Sequence, residues 1–503
     1  MARRAGYARL LERHALRAPA LFHASSLDDV SARRSLTVGP TVEETFPNSY
    51  DPGDDDTDHL LFALKYDGID LVALARLFRV VDPGSLARRV ESQPTSKYLR
   101  RLFFLFELLT GERLKLADLS RGNYTPALDP AEHFVAPGRH LPRYRVIDNM
   151  LGNAGFCPIV RRTPLLAAAI LNDLGDRARQ ITQAVDPLIL RRAISYLYTK
   201  ETRSSFAIER EEIEAGVRME RFVAQLAAAG DRALDDEAQL TELHRAFVDP
   251  RYAEDGFRKA GEREVYVGEM LGFREKIHHV GARSASTPEL MAAWARMRSV
   301  EGPGGPVLEA ACRSFAFVFI HPFGDGNGRI HRLLLHNVLA LRGYLPPRLV
   351  VPISGVLLAD HQGYEQALES FSRRILPLVD YKLNHDGELT IHNDTDDLYR
   401  YPDLTAICEA TFGWLKRAIE HDLVAELDFL RRFDEVRARM RTVVEMPDRK
   451  EQLFIRLCLG NSGKVSAGKR RRHFSELDDP TIDRLEEIVR DAMLESAGNR
   501  PSE

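Results

Sequence analysis

The stretch that most constrains the fold of this chain is HPFGDGNGRIHR, which runs from His321 to Arg332. It follows an apolar run, VLEAACRSFAFVFI at 307–320, and leads into GRIHRLLLHNVLALRG, whose apolar residues recur with helical spacing. The residue before Pro322 is pushed out of the α region, so the first helix should stop at His321. The sequence therefore predicts two helices joined by a short loop of glycine and polar residues.

The size and composition of the chain limit the kinds of protein it can be. At 503 residues it exceeds the usual size of one hydrophobic core, about 250–300 residues, so two or three domains are expected. The net charge of −4 gives no general reason to expect a nucleic-acid partner. Four well-separated cysteines fit a reducing cytoplasm, and no apolar run approaches the roughly 18 residues of a membrane span. We therefore expect a cytoplasmic protein.

Helical patterns dominate the rest of the chain. The Arg-rich residues 1–22 superficially suit a transit peptide, but a first amphipathic helix is our interpretation. Helical spacing continues from about 60 to 119 and from about 163 onward, with an irregular stretch at 120–160. An alternating stretch at about 264–280 predicts a hairpin. The predicted fold class is all-α with a small β-hairpin and helical N- and C-terminal regions.

The glycines of the loop make it a candidate phosphate site. Gly324, Gly326 and Gly328 carry no side chains, so a ligand can approach their backbone N–H groups closely. The next helix should begin near Gly328, and its positive dipole end points into the same space. Arg329 and Arg332 share a helix face and can reach outer phosphate oxygens. The alternative is a tight turn between the two helices with no ligand, which is what a GDG sequence alone would favour.

The remaining polar residues of the loop complete a site for phosphoryl or nucleotidyl transfer. Asp325 offers the hard oxygen ligand that Mg²⁺ prefers. Asn327 can donate a hydrogen bond to a further phosphate oxygen. His321 can take a proton from an incoming hydroxyl because its ordinary pKa lies near neutrality. Catalysis at such a site would consist mostly of positioning and charge neutralisation.

HPFGDGNGRIHR matches in full the motif H-x-F-x-D-G-N-G-R-x-x-R, and about 190–380 of this chain resembles the Fic family. The resemblance implies a Fic-type helical core with a hairpin flap. It also implies transfer of AMP from the co-substrate ATP to a Ser, Thr or Tyr hydroxyl of a target protein, with release of pyrophosphate. The Doc-type kinase relatives depart from this pattern at the second glycine, so target phosphorylation ranks low.

The same resemblance assigns roles to the residues of the motif. His321 is the general base, and Asp325 is the Mg²⁺ ligand. Asn327 holds the α-phosphate. The backbone amides of Gly326 and Gly328 hold the α-phosphate with it, and Arg329 and Arg332 hold the β- and γ-phosphates. The nucleotide-binding set is Gly324, Gly326, Asn327, Gly328, Arg329 and Arg332.

Many Fic proteins carry an inhibitory helix with Ser/Thr-x-x-x-Glu-Gly/Asn, and SFAIE at 205–209 resembles it. Ser205 and Glu209 lie on one helical face, within a predicted helix near 200–215. A carboxylate paired with Arg332 would take the partner of the γ-phosphate, so ATP would bind in an unreactive pose. Arg210 departs from the family, which has Gly or Asn there. A solvated acidic face is the alternative, and Glu209 could also orient a water that removes AMP from a modified protein.

The predicted hairpin corresponds to the flap of the family, whose edge can pair with an extended target segment. Ile277 and His278 are the expected flap contacts, and a purely structural hairpin is the alternative. Tyr364 is expected to wall the adenine pocket, unless it packs in the core. The target protein could be the chain itself, and a homodimer stays open.

The predicted domain boundaries are 1–190, 191–380 for the catalytic domain, and 381–503. GKVSAGKR at 463–470 has the G-x-x-x-x-G-K spacing of a phosphate-binding loop. It lacks the final Ser or Thr and a preceding strand, so we do not expect it to bind a nucleotide. The basic cluster GKRRRHF leaves one alternative of another class, a regulatory or DNA-binding protein in which the Fic core is secondary.

Overall fold

A computed structural model describes residues 2–39, 41–210, 216–271 and 274–493, without the side chains of residues 271 and 274. Helices make up most of it, which confirms the predicted helical class. The helices are α1 (Gly6–Arg13), α2 (Asp56–Tyr66), α3 (Leu71–Leu77), α4 (Pro83–Ser92), α5 (Lys97–Thr110), α6 (Pro164–Leu171), α7 (Leu174–Gln183), α8 (Pro187–Ile208), α9 (Val217–Ala227), α10 (Glu237–Phe247), α11 (Thr287–Ala295), α12 (Gly305–Ile320), α13 (Asn327–Leu341), α14 (Ile353–Ala359), α15 (His361–Ile375), α16 (Asp396–Arg400), α17 (Thr405–Arg417), α18 (Val424–Val443), α19 (Asp448–Leu459), α20 (Ala467–His473) and α21 (Asp479–Met493).

Small sheets accompany the helices. The strands are β1 (Arg3–Ala5), β2 (His23–Asp28), β3 (Arg34–Val38), β4 (Thr41–Pro47), β5 (Thr125–Pro126), β6 (Arg139–Leu141), β7 (Val146–Asp148), β8 (Tyr266–Leu271), β9 (Arg274–Val280), β10 (Tyr381–Leu383) and β11 (Leu389–Ile391). The first sheet has the order β1-β2-β4-β3, with β2 and β4 parallel, and a second has the order β5-β7-β6. The predicted hairpin is formed by β8 and β9, which pair antiparallel.

The sheets at 3–47 and 125–148 differ from the prediction, which had a helix and then irregular chain there. Their strands are short, and β3 is exposed along its whole length, so no apolar alternation marks it. The parallel pairing of β2 with β4 joins segments about twenty residues apart, and such pairing has no local sequence signal. The physical cause of the difference is tertiary pairing that overrides a weak local pattern.

The apolar core places α12 at its centre. This helix is buried on nearly all of its residues and packs between α13 and α17. One continuous apolar cluster extends from Tyr7 to Leu427, and a second, smaller cluster extends from Val436 to Met493 within α18 to α21. The predicted boundaries at 190 and 380 stay a prediction. Among the described helices, none has the length and hydrophobicity that crossing a bilayer requires.

Helix α8 connects two distant parts of the molecule. Its last turn carries Ser205 and lies beside α13. Near its N-terminus, Arg192 forms an ion pair of 2.6 Å with Asp434, and in its C-terminal half Lys200 pairs with Glu426. Both acidic partners belong to α18. The helix that holds the predicted inhibitory residues is therefore anchored to the C-terminal region by charged side chains.

Candidate active site

The C-terminal end of α12 presents His321 with a defined protonation pattern. The backbone of His321 is left-handed, at φ 58° and ψ 61°, which ends the helix as Pro322 predicted. Its Nδ1–H donates a hydrogen bond of 3.0 Å to the carbonyl oxygen of Val318. Nε2 is therefore the acceptor nitrogen of the neutral ring. Burial lowers the pKa of His321 to about 4, so the ring stays uncharged near neutrality.

The glycine loop is closed by Asn327. Its side-chain oxygen accepts from Phe323 N–H at 3.1 Å, and its Nδ2 donates to Phe323 O at 2.8 Å. Asn327 is buried and begins α13. Both ends of its amide are thus engaged by the loop backbone, so the predicted α-phosphate contact of Asn327 stays a prediction. Gly326 has φ 78°, the left-handed conformation that this tight loop requires of a glycine.

Asp325 and Arg329 contact each other. The Asp325 carboxylate is 58 % exposed and accepts from the Gly326 N–H at 2.6 Å. Nη2 of Arg329 lies 3.3 Å from both of its oxygens, and Nη1 donates to Phe247 O at 2.9 Å. The Arg329 guanidinium is therefore buried beside Asp325 and orients its carboxylate. The predicted β- and γ-phosphate contacts of Arg329 stay a prediction.

The structure brings the predicted inhibitory residues onto Arg332. Nε of Arg332 donates to Ser205 Oγ at 2.8 Å, and Nη2 donates to Ser205 O and to Glu209 Oε1, each at 2.7 Å. The Arg332 side chain is 2 % exposed and that of Glu209 is 34 % exposed. Burial lowers the pKa of Arg332, but Glu209 and Tyr364 together raise it more, so the pKa is raised overall.

The Glu209 carboxylate lies over the N-terminus of α13. A Cβ built on Gly328 would lie 2.2 Å from Glu209 Oε1 and 3.2 Å from Arg332 Nη1. Arg332 Nη1 is buried and has no hydrogen-bond partner among the described residues. A negative group at a helix N-terminus is stabilised by the helix dipole and unpaired N–H groups. The chain therefore places its own carboxylate beside this end of α13, where a negative charge is favoured.

Arg210 follows Glu209 at the end of α8 and is left-handed, with φ 56°. This is the conformation that glycine and asparagine adopt at low cost, and an arginine adopts it at roughly 1–2 kcal/mol. The backbone at Arg210 therefore has the conformation that a glycine or an asparagine at this position would favour. Residues 211–215 of the predicted inhibitory segment lie outside the described residues.

Three residues outside the motif support the loop, and the sequence reasoning missed them. Glu254 accepts from the Gly324 N–H with both carboxylate oxygens, at 2.9 and 3.1 Å. His244 stacks on Phe323 with ring centroids 4.4 Å apart. Arg258 Nε donates to the His321 carbonyl at 3.0 Å. They lie 63 to 79 positions from their partners, so no local pattern could have found them.

Asp325 faces an open cavity of about 570 Å³. The cavity is lined by Arg251, Tyr252, Ala253, Glu254, Gly324 and Asp325. Within the described ranges, no group of three or more His, Cys, Asp or Glu side chains could enclose a metal ion. Any cation at Asp325 would thus take most of its ligands from water or substrate.

The residues predicted to form the flap and to line the adenine pocket differ in how deeply they are buried. Ile277 is partly buried against the core, and His278 Nε2 lies 3.1 Å from Glu269 Oε1 across the hairpin. Tyr364 is 6 % exposed, with its hydroxyl 3.3 Å from His331 Nε2 and its ring 5.8 Å from that of Trp414. The structure favours packing for Tyr364, and its predicted contact with adenine stays a prediction.

Part of this chain is similar in sequence to known proteins. The Fic/DOC family matches residues 234–339. The chain is 36 % identical over 119 residues to the Protein adenylyltransferase Fic of Drosophila ananassae, which covers 22 % of this chain and 21 % of that protein. It is 51 % identical over 41 residues to the protein of the same name from Aedes aegypti, 8 % of each chain. The chain thus spans about a fifth of the length of the first of these relatives.

Two solved structures are also similar at low identity. A Fic family protein from Desulfovibrio desulfuricans is 18 % identical, covers 68 % of this chain and 95 % of its own, and has a TM-score of 0.36. A Fic domain containing signaling protein from Bacteroides thetaiotaomicron is 18 % identical, covers 52 % of this chain and 97 % of its own, and has a TM-score of 0.35. The resemblance seen in HPFGDGNGRIHR is confirmed by the family match, which covers residues 234–339 of this chain.

Proposed function

We propose that the chain transfers AMP from ATP to a hydroxyl side chain of a target protein and that Glu209 restrains this reaction. The observation that carries the proposal is the position of the Glu209 carboxylate, over Gly328 and bonded to Arg332. A site that holds a carboxylate in this way has the charge and the open backbone that a phosphate group needs. The names of the matched relatives support AMP as the transferred group.

In this reaction His321 activates the incoming hydroxyl. Nε2 of the neutral ring takes the hydroxyl proton while the oxygen attacks the α-phosphorus of ATP. The bond from the α-phosphorus to the bridging oxygen breaks, and pyrophosphate leaves with that electron pair. Arg332 and the N-terminus of α13 stabilise the negative charge of the leaving group. The left-handed turn at His321 holds the imidazole at the rim of this site.

The residues present fit a magnesium ion at Asp325. Its carboxylate is exposed to the cavity, and Arg329 and the Gly326 N–H orient it. Mg²⁺ prefers carboxylate, phosphate and water oxygens and would neutralise charge on the nucleotide phosphates. Asp325 would hold the ion, while Glu254 keeps the loop in place through the Gly324 N–H.

A second reaction at the same site is hydrolysis of an AMP-modified protein. The Glu209 side chain is 34 % exposed, so its carboxylate can contact a water molecule as well as Arg332. Such a water could attack the phosphorus of the AMP group; the bond from this phosphorus to the protein oxygen breaks, His321 supplies the proton that restores the hydroxyl, and AMP leaves. Release of AMP from a pre-modified protein would identify this direction.

Transfer of a radioactive label from α-labelled ATP, with Mg²⁺ present, tests the proposal on the purified chain and on a cell lysate. We expect weak labelling of protein by the wild type, strong labelling by Glu209→Gly and none by Glu209→Gly/His321→Ala. Label from γ-labelled ATP should not be transferred, and if it is, the reaction is phosphorylation. The proposal fails if Glu209→Gly labels no protein more than its His321→Ala counterpart does.

A further inference from the structure

Arg258 is a buried arginine outside the motif whose hydrogen bonds converge on the end of α12. It is 3 % exposed. Its Nε donates to His321 O at 3.0 Å, and its Nη2 donates to Ala282 O at 2.8 Å and to Ile320 O at 3.4 Å. Its backbone N–H donates to Pro322 O at 2.9 Å. One residue therefore contacts the residue before His321, His321 itself and the residue after it.

The same side chain joins both ends of the flap to His321. Nη1 of Arg258 lies 3.4 Å from Glu264 Oε2, just before β8. That carboxylate also accepts from Ser284 N–H at 2.9 Å, just after β9. A Cβ built on Gly281 would lie 3.1 Å from the Cβ of His321 and 3.2 Å from Arg258 Nη2. The base of the flap and the end of α12 therefore meet around one guanidinium.

The charge of Arg258 also acts on the imidazole. Burial is the main cause of the lowered pKa of His321, and the positive charge of Arg258 lowers this pKa further. Carbonyl oxygens at the C-terminal end of a helix carry partial negative charge and interact favourably with a cation. Hydrogen bonds to a charged donor hold them more firmly than neutral ones.

We propose that Arg258 is the positioning residue of the active site: by binding the His321, Ile320 and Ala282 carbonyls together, it fixes the general base relative to the flap. The inference rests on the proposed function for its effect on rate. Loss of the three bonds lets His321 and the flap move apart, and a displacement of about 1 Å at a reacting group lowers a rate roughly a hundredfold. Arg258 contacts none of the loop glycines in the described structure, so ATP binding should be unaffected.

The test compares Arg258→Met and Arg258→Lys with Arg101→Met, all in the Glu209→Gly background. Arg101 is the matched control, since it is also buried and donates from Nε to a carbonyl, that of Pro126, but lies in α5. Each variant is measured for kcat, for the KM of ATP, and for the pH dependence of kcat. The pKa of His321 is measured separately by NMR on histidine-labelled protein without ATP, with His321→Ala to assign the signal.

We expect Arg258→Met to lower kcat about a hundredfold, to leave the KM of ATP within about twofold, and to raise the pKa of His321. Because the base acts unprotonated, the acid limb of the pH profile then moves to higher pH. Arg258→Lys keeps the charge but cannot reach three carbonyls, so it should keep the pH profile and still lose kcat. Arg101→Met should change neither.

Two results would overturn the inference. One is an Arg258→Met protein with the kcat and the His321 pKa of its parent. The other is an Arg258→Lys protein that is fully active, which would leave charge alone as the contribution of Arg258. If Arg258→Met does not fold, as circular dichroism would show, the lysine variant decides. If the Glu209→Gly parent itself transfers no AMP, the proposed function fails, and the NMR measurement still tests the contact between Arg258 and His321.

Discussion

Glu209 Oε1 and Arg332 Nη2 lie 2.7 Å apart, although 123 positions separate the two residues in the chain. A hydrogen bond between charged groups contributes about 1.5–3 kcal/mol, and in this one the guanidinium is buried while the carboxylate is partly exposed. An energy of that size corresponds to roughly a tenfold to hundredfold shift in the population of a competing state. Under the proposed function, a contact of this strength would restrain AMP transfer and could still be displaced.

The first prediction concerns Ser205→Ala. This change removes the Oγ acceptor of Arg332 Nε but leaves Glu209 in place. A single hydrogen bond of about 0.5–1.5 kcal/mol is lost, so labelling should rise about twofold to tenfold, less than in Glu209→Gly. Initial rates of AMP transfer measure the effect. Ser204→Ala is the control, because Ser204 faces Gly355 instead. Equal rates for wild type and Ser205→Ala would show that Ser205 does not contribute to the restraint.

Arg210→Gly should act in the opposite direction. The left-handed backbone at this position costs an arginine about 1–2 kcal/mol, and glycine avoids that cost. Glycine instead loses about 0.5–1 kcal/mol of conformational entropy on folding, which is the smaller of the two costs. The net gain tightens the end of α8, so basal AMP transfer should fall about twofold to fivefold. Ser462→Gly relaxes another left-handed residue far along the chain and should leave the rate unchanged. A faster Arg210→Gly enzyme would contradict this account.

Gly328→Ala tests whether the phosphates of ATP bind where the Glu209 carboxylate now lies. The new Cβ must displace the Glu209 carboxylate, from which it would lie 2.2 Å, but it also fills the space that a phosphate would enter. In the Glu209→Gly background, Gly328→Ala should therefore weaken ATP binding at least about tenfold, as measured by calorimetry. Gly355→Ala is the control, since its nearest neighbour atom would be 3.6 Å away. Unchanged ATP affinity would place the phosphate elsewhere.

Acid should destabilise the fold through buried histidines. Burial lowers the pKa of His331 to about 3, below its ordinary 6.5, so between these values the unfolded chain binds a proton that the folded chain does not. The contribution of His331 to stability is therefore lost as the pH falls from about 6.5, by about 1.4 kcal/mol per pH unit. We therefore compare the free energy of unfolding of His331→Phe with that of the wild type by urea unfolding at pH 5 and at pH 7. The difference should shift in favour of His331→Phe at pH 5. If the prediction is wrong, the difference in the free energy of unfolding between His331→Phe and the wild type will not change with pH.

Local chemistry made the centre of the site predictable. The proline after His321 and the glycines after Phe323 determine where α12 ends and α13 begins, because their effects on the backbone depend on neighbouring residues alone. The i and i+4 spacing of Ser205 and Glu209 puts both on one face of α8, and the structure brings that face to Arg332.

The supporting contacts could not be predicted from the same patterns. Arg258 and Glu254 bind backbone groups of the loop from segments more than sixty residues away, and a backbone partner leaves no trace in the sequence of that partner. The two roles of Asn327 were indistinguishable for a related reason, because an amide can donate to a phosphate or close a loop equally well. Only the packing around Phe323 shows which bonds it makes here.

The anchoring of α8 at both ends gives the C-terminal region a mechanical connection to the catalytic centre. The helix is 22 residues long, about 33 Å, and a helix of that length transmits a tilt at one end as a displacement at the other. Its ion pairs with Asp434 and Glu426 couple α8 to α18, and Glu209 lies at the far end of α8. Under the proposed function, a displacement of α18 would therefore reach the ion pair between Glu209 and Arg332 through α8, without any contact at the nucleotide site.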